Sequence, residues 1–287
     1  MSQQAFKLSG LCRVFGVSRQ SYYQRSDTYY ERLCFRGFVS EYVRSLRKDF
    51  PKMGCLKLYE KSKRYFGEQM QMGRDSFIEL LREQGLLLKV KRRRRIKTTD
   101  SLHPFKRYAN LAKNYVPSSA CRLWVSDITY LPIGEKEFCY LSLITDAYSR
   151  KIVGWELAGT LQYVHTENAL RRALQEATEH GFHIEGLIHH SDRGVQYAYP
   201  NYTDLLLSYQ CRISMTQTGD PRDNAIAERV NGILKTEWLN AYEFSSLKEV
   251  KPAVAKVINL YNNQRPHMGI GMKIPSELHQ VPIPQRA

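Results

Sequence analysis

The segment LWVSDITYL, residues 123–131, decides how this sequence is interpreted. Its aromatic and β-branched residues are typical of a strand buried in a sheet. Asp127 stands in the middle of the segment, although burying an unpaired carboxylate is costly in free energy. The segment therefore predicts a core strand whose acidic residue must be stabilised by hydrogen bonds or by a cation.

The segment EFCYLSLITDAYSRKIVGWEL, residues 137–157, has the same composition and is broken near Ser149, so three strands in a meander are predicted over residues 123–157. After residue 157, segments with helical spacing alternate with segments typical of strands. Helices are predicted over residues 166–180, 202–209 and 224–238, and strands over residues 186–192 and 212–216. The order β-β-β-α-β-α-β-α is that of the ribonuclease H-like fold, an α/β architecture with a mixed five-stranded sheet and flanking helices.

Two further carboxylates have positions that suit a shared site. Asp192 ends the strand GLIHHSD, and strand ends are where α/β sheets place their ligands. Glu228 lies in the first turns of the last predicted helix. We expect Asp127, Asp192 and Glu228 to converge at one edge of the sheet. Each also has a structural explanation on its own, as a hydrogen-bonded core acid, a turn former and a solvated helix residue respectively.

Three clustered carboxylates point to a metal-dependent reaction. They would repel and raise one another's pKa unless a cation lies between them. Ligands that are all oxygen favour Mg²⁺ or Mn²⁺ over zinc. Two such ions about 3.5 to 4 Å apart can activate an attacking oxygen and stabilise the leaving oxygen in phosphoryl transfer. We therefore expect Asp127, Asp192 and Glu228 to be catalytic residues and metal ligands for two ions.

Three blocks of the sequence resemble a known family. DITYL, HHSDRGVQY and DNAIAERVNGILKTE resemble the signature blocks of the DDE integrase core, which retroviral integrases and insertion-sequence transposases share. Between Asp192 and Glu228 lie 35 residues, the spacing of the D,D(35)E class. YNNQRPHMGIGMKIPSEL, residues 261–278, resembles the block that ends this core in insertion-sequence members. The resemblance covers nearly the whole chain and favours the second-open-reading-frame type.

The sequence departs from the family pattern in two places. Retroviral integrases begin with a His-His-Cys-Cys zinc module, and no such set occurs before residue 120. The Ser or Thr that usually precedes the first aspartate is present as Ser126, but Arg229 stands where many members carry a small Ser. The insertion-sequence branch therefore fits better than the retroviral one.

Residues near the three acids have predicted supporting roles. Asn224, Asn231 and Lys235 share a helix face with Glu228, so the predicted metal ligand and DNA contacts lie on one stripe. The resemblance implies a phosphate contact for Lys235, and we expect Asn231 to contact DNA. Asn224 and His190 are candidates for supporting the metal ligands from behind. A solvated lysine and a satisfied strand histidine are the alternatives for Lys235 and His190.

One further acid is assigned a structural role. We place Asp146 at the turn after the second strand, bonded to the backbone or to Arg150.

The net charge of +15 favours a polyanionic partner, and it is unevenly distributed. Residues 1–113 hold 26 Lys and Arg against 10 Asp and Glu, whereas residues 114–287 hold 17 against 18. This asymmetry predicts an N-terminal half that binds DNA. A basic surface that only aids solubility is the alternative.

The N-terminal half is predicted to be helical. Leu8 to Phe15 has helical spacing, and Ser18 is placed to cap a second short helix from Arg19, as in a helix-turn-helix. Arg19, Gln20 and Ser21 would then face a groove or a phosphate, unless the unit is an ordinary helical hairpin. Separate helices are expected over residues 28–48, 55–66 and 74–84.

The segment KVKRRRRIK, residues 89–97, carries seven positive charges and must lie in water or on phosphate. We expect DNA contacts from Arg92, Arg93, Arg94 and Arg95; a solvated linker and a nuclear-localisation signal are the alternatives. The predicted divisions are a helix-turn-helix region, a basic linker, the catalytic core and a C-terminal helical extension. These cover residues 1–88, 89–117, 118–240 and 241–287.

The chain lacks membrane and disulfide signatures. No run of about eighteen apolar residues occurs, and MSQQAFKLSG does not resemble a signal peptide. The six cysteines are scattered singly, so we expect reduced and mostly buried thiols. The expected location is the bacterial cytoplasm, in association with the nucleoid.

These observations predict a DNA transposase that cleaves and transfers strands of an insertion-sequence element. A ribonuclease H-like nuclease or resolvase without strand transfer is one alternative, and a DNA-binding regulator with a vestigial core is another. The expected cofactors are two Mg²⁺ or Mn²⁺ ions. The expected partners are the DNA of the element ends and target, further copies of the chain and, as the resemblance implies, a helix-turn-helix protein encoded upstream.

Overall fold

The computed structural model describes residues 7–88, 104–134, 137–217 and 221–281. The predicted DNA contacts at Arg92, Arg93, Arg94 and Arg95 lie outside these residues. The described residues form two compact units. The first lies within Met1–Asp49 and Gly54–Lys89, and the second within Phe50–Met53 and Val90–Ala287.

The first unit is helical, as predicted. Its α-helices are α1 (Leu8–Val14), α2 (Arg19–Asp49), α3 (Cys55–Phe66) and α4 (Arg74–Glu83). Gly16, with φ of 64°, makes the turn between α1 and α2, and the Ser18 hydroxyl accepts the Ser21 N–H at 3.0 Å as an N-cap. Arg19 and Gln20 are exposed in the first turn of α2.

The predicted division of α2 into two helices is wrong. One unbroken helix of 31 residues runs from Arg19 to Asp49, where a short helix and a second helix from residue 28 were expected. No proline or glycine lies between Arg19 and Phe35 to stop the first helix, and the polar residues there do not break it. The C-terminal half of α2 packs into the unit through Val39 and Val43, which are fully buried.

The second unit contains a five-stranded mixed sheet. The strands are β1 (Leu123–Ile133), β2 (Glu137–Asp146), β3 (Ile152–Ala158), β4 (Ile188–Ser191) and β5 (Arg212–Met215). Their spatial order is β3-β2-β1-β4-β5. β1 pairs antiparallel with β2 and parallel with β4, and β4 pairs parallel with β5. This is the predicted ribonuclease H-like arrangement.

The helices of the second unit flank this sheet. They are α5 (Tyr163–Glu179), α6 (Val195–Ala198), α7 (Pro200–Ser208), α8 (Ala225–Glu237), α9 (Leu247–Gln264) and α10 (Pro275–Leu278). Close approach of α5 to β3 depends on Gly154. A Cβ added there would lie 2.4 Å from the Ala169 carbonyl oxygen and 2.7 Å from the Ala173 Cβ.

Asp146 has the structural role that was predicted. It is fully buried at the end of β2 and accepts the backbone N–H groups of Cys121 at 2.8 Å and Ser149 at 2.7 Å. The Arg150 guanidinium donates instead to the Ala147 carbonyl. The backbone alternative is therefore the one confirmed.

The cysteine prediction is also confirmed. All six thiols are free, and Cys12, Cys121, Cys139 and Cys211 are buried. Among the described residues, no helix combines the length and the apolarity needed to cross a membrane.

A buried ion pair ties the C-terminal block to α8. The guanidinium of Arg265 donates twice to the Glu237 carboxylate, at 2.8 and 2.7 Å, and lies over the Tyr261 ring at 5.6 Å. Arg265 is 1% exposed, so the ion pair is shielded from solvent. The pair fixes the last turn of α8 against the segment that follows α9.

We predict that Arg265→Met destabilises the second unit by about 3 kcal/mol or more, because the substitution removes a buried charge that pairs with the Glu237 carboxylate. Urea unfolding followed by tryptophan fluorescence measures this, since Trp124, Trp155 and Trp238 all belong to that unit. Arg212→Met, the same change at an exposed position on β5, is the control and should cost less than about 1 kcal/mol. Equal effects of the two substitutions would contradict the prediction.

Candidate active site

The pairing of β1 with β4 positions two of the acids. Val125 lies opposite His190 in the parallel register. Asp127 is two residues beyond Val125, and Asp192 is two residues beyond His190, so both leave neighbouring strands in the same direction and at the same level. Asp127 is half-buried within β1, and Asp192 follows the end of β4 and is also half-buried.

Each of these two acids accepts a hydrogen bond that orients its carboxylate. The Asn231 amide donates to Asp127 Oδ2 at 2.7 Å, across from α8. The Gly194 N–H donates to Asp192 Oδ1 at 2.9 Å, so Asp192 does form the turn that its sequence position also suggested. A turn role and a site role are therefore compatible at Asp192.

Glu228, the third acid of the predicted site, belongs to α8. It lies in the first turn of α8, which packs against β1, and its side chain is exposed. The pKa of Asp127 is raised to about 7, first by burial and then by the charges of Asp192 and Glu228, while the hydrogen bond from Asn231 acts in the opposite direction. The three carboxylates are thus electrostatically coupled.

His190 and Asn224 hold the beginning of α8 in place. His190 Nε2 donates to the Asp223 carbonyl at 2.9 Å, which leaves Nδ1 to accept from the Ser214 hydroxyl at 2.8 Å. The Asn224 amide donates to the Ser126 carbonyl at 2.8 Å. Asn224 thus contacts the residue that precedes Asp127, and His190 lies two residues before Asp192. Their supporting roles at the metal ligands remain predictions.

The two residues of α8 that are predicted to contact DNA, Lys235 and Asn231, differ in their neighbours. Lys235 is half-buried, with its ammonium 4.5 Å from the centre of the Tyr130 ring. Burial lowers the pKa of Lys235, and the nearby charge of Asp127 acts in the opposite direction. Asn231 is 5% exposed and holds Asp127. Its predicted contact with DNA is untested, but its visible partner is the acid.

Sequence reasoning missed a buried polar network beside the site. His189 Nε2 lies 2.8 Å from the Ser126 hydroxyl and 3.0 Å from the Tyr202 hydroxyl. Burial lowers the pKa of His189 to about 3, so the ring is neutral. The network links the residue before Asp127 to α7. The pair of histidines in HHSD could have indicated this network. Successive strand residues point to opposite faces of the sheet, so His189 faces away from His190 and needs polar partners of its own.

Comparison with known proteins identifies the family. Two family models described as integrase core domain match residues 117–221 and 209–275. The 31 kDa protein of insertion element IS600 from Shigella sonnei is 30% identical over 289 residues, which cover 94% of this chain and 97% of that protein.

The chain belongs to the insertion-sequence transposases with an integrase core.

Other relatives place this membership in context. A Mycobacterium tuberculosis protein, whose name describes a transposase of insertion sequence element IS986/IS6110, is 32% identical over 176 residues. The match covers 61% of this chain and 63% of that relative. A chain of the simian T-cell lymphotropic virus intasome, solved in complex with PP2A regulatory subunit B56 gamma, shares the fold. Its TM-score is 0.50 at 16% identity, over 82% of this transposase-family chain and 73% of that chain.

Integrase cores of this family generally use divalent metal ions, and the oxygen donors of Asp127 and Asp192 suit such an ion. Asp127 and Asp192 offer hard oxygen ligands, and the Asn231 amide oxygen beside them is buried without a hydrogen-bond partner in the described part of the chain. In the same described residues, no three Asp, Glu, His or Cys side chains are grouped closely enough to hold one ion. Glu228 would have to turn toward Asp127 and Asp192 for all three carboxylates to bind one ion.

We predict that Asn231→Leu raises the pKa of Asp127 above its value of about 7, because the substitution removes the donor that stabilises the charged carboxylate. A carbon-13 NMR titration of aspartate-labelled, metal-free protein measures it. Asn263→Leu, at an exposed position on α9, should leave the pKa of Asp127 unchanged. An unchanged or lower pKa in Asn231→Leu would show that the bond does not act on the carboxylate.

Proposed function

We propose that this chain is a DNA transposase in which Asp127, Asp192 and Glu228 hold two Mg²⁺ or Mn²⁺ ions and catalyse strand cleavage and strand transfer. The observation that carries the proposal is the β1–β4 register, which sets Asp127 and Asp192 at the same level on adjacent strands, with α8 packed against β1. Membership of the insertion-sequence family supplies the substrate class, the ends of a mobile DNA element.

The reaction consists of two phosphoryl transfers. In the first, a water oxygen bonds to a phosphorus at the element end, the P–O3′ bond breaks and a free 3′-OH leaves. In the second, that 3′-OH attacks a phosphorus of the target strand and displaces its 3′ oxygen. Two divalent ions held by Asp127, Asp192 and Glu228 would supply Lewis-acid stabilisation of the attacking and leaving oxygens. No covalent bond to the protein is needed.

The protein's own residues orient the participants. Asn231 holds the Asp127 carboxylate through Oδ2, and Asn224 fixes the start of α8, so Glu228 approaches from a constrained direction. In this proposal Lys235, which is half-buried near Asp127, binds a phosphate of the reacting strand. The buried pair between Arg265 and Glu237 keeps the far end of the same helix fixed.

In this proposal the N-terminal half of the chain binds the DNA. Arg19 and Gln20 lie exposed at the first turn of α2, where a helix-turn-helix unit contacts its groove. The excess of positive charge in residues 1–113 favours binding to phosphates, with contributions from Arg92 to Arg95. We retain the division into residues 1–88, 89–117, 118–240 and 241–287 as the functional one.

The proposed setting is a synaptic complex in the bacterial cytoplasm. Holding two element ends requires more than one copy of the chain, and a helix-turn-helix protein from an upstream frame is a further candidate partner. The named relatives come from bacterial insertion sequences, which supports this setting.

Strand transfer with pre-cleaved ends tests the proposal. Duplexes that carry the terminal repeats flanking the gene, already ending in 3′-OH, are incubated with the full chain, a supercoiled plasmid and Mn²⁺. We predict joined product from the wild type and none from Glu228→Gln, since the neutral amide is a much weaker metal ligand than the carboxylate.

Asp204→Asn, the same kind of change at an exposed acid on α7, is the control and should join ends normally. Cleavage of intact ends without joining would favour a nuclease that only hydrolyses. Equal product from Glu228→Gln and wild type would overturn the assignment of the site.

A further inference from the structure

The hydroxyl of Tyr197 takes no part in the proposed reaction and lies in a buried environment. Tyr197 lies in α6, five residues after Asp192, and is 2% exposed. Its hydroxyl oxygen is buried and makes no hydrogen bond within the described residues. Burying such a group without a partner is unfavourable, and a phenylalanine would fill the same space without that cost.

The position of Tyr197 relative to Asp192 is fixed by Gly194. The Gly194 N–H donates to Asp192 Oδ1 at 2.9 Å, and the Gly194 carbonyl accepts the Tyr197 N–H at 3.0 Å. A Cβ built on Gly194 would lie 3.0 Å from Asp192 Oδ1 and 3.6 Å from the ring carbon Cδ2 of Tyr197. The Asp192 carboxylate and the Tyr197 ring therefore border the same point.

Tyr202 provides a contrast within the same cluster. Its ring packs edge-on against the Tyr197 ring, with centroids 5.6 Å apart, and it is fully buried. Its hydroxyl, however, lies 3.0 Å from His189 Nε2 and so has a partner. The Tyr202 hydroxyl therefore has a hydrogen-bond partner, and the Tyr197 hydroxyl has none among the described residues.

We propose that Tyr197 is a positioning residue for Asp192, and that its hydroxyl donates to the Asp192 carboxylate when that carboxylate binds a divalent cation. This rests on the proposed metal site. A carboxylate that ligates through one oxygen is commonly held by a donor on its other oxygen, and such donors set the orientation of the ligand. A phenol supplies the proton for this bond at neutral pH. The chain thereby keeps a costly buried hydroxyl for the loaded site.

The test compares Tyr197→Phe with Tyr202→Phe in the full chain. Without metal, Tyr197→Phe should melt at the wild-type temperature or above it, because it removes a group without a partner. Tyr202→Phe should melt lower, because it removes the bond to His189. Titration calorimetry with Mn²⁺ should show binding about 10-fold weaker for Tyr197→Phe than for wild type. Strand transfer by Tyr197→Phe should recover as Mn²⁺ concentration rises.

Three results would overturn this role. Wild-type Mn²⁺ affinity in Tyr197→Phe would show that the hydroxyl does not support Asp192. A melting temperature lowered as much as in Tyr202→Phe would show that the hydroxyl already has a structural partner. A wild-type chain that binds no Mn²⁺ would overturn the proposed function as well, which separates that failure from the first.

Discussion

The parallel pairing of β1 with β4 is the constraint on which the site depends. It sets Val125 opposite His190 and so brings Asp127 and Asp192 to the same level on adjacent strands. A slip of one residue would turn one of the two acids to the opposite face of the sheet. His189 ties the strands together behind the acids, since Ser126 of β1 and Tyr202 of α7 both contact its Nε2.

This arrangement leaves an electrostatic problem that the fold only partly solves. Asp127 and Asp192 lie close together in a half-buried setting, and the pKa of Asp127 is raised to about 7. Asn231 offsets some of this repulsion with one amide donor, and Arg265 holds α8 through Glu237 so that the amide stays in place. The remaining repulsion is what a divalent cation would relieve. Metal binding and site geometry are therefore linked.

Composition and spacing were sufficient to predict the sheet and the element order, whereas the site formed by Asp127, Asp192 and Glu228 stays a prediction. LWVSDITYL is a strand because its side chains suit a pleated, buried surface. The single helix α2 was not predicted, because residues 19–28 are polar and the apolar pattern that marks the second half begins later. Nor did the sequence reveal that Asn231 holds Asp127, since that contact joins residues 104 positions apart and depends on how α8 packs against β1.

The central claim is that Asp127, Asp192 and Glu228 bind the same metal ions. Anomalous diffraction at the manganese edge, from crystals of the full chain grown with Mn²⁺ and element-end DNA, tests it most directly. The account predicts anomalous peaks bounded by these three carboxylates, with Glu228 turned inward from its exposed position on α8. Ordered carboxylates with no peak between them, or manganese bound only elsewhere, would contradict it.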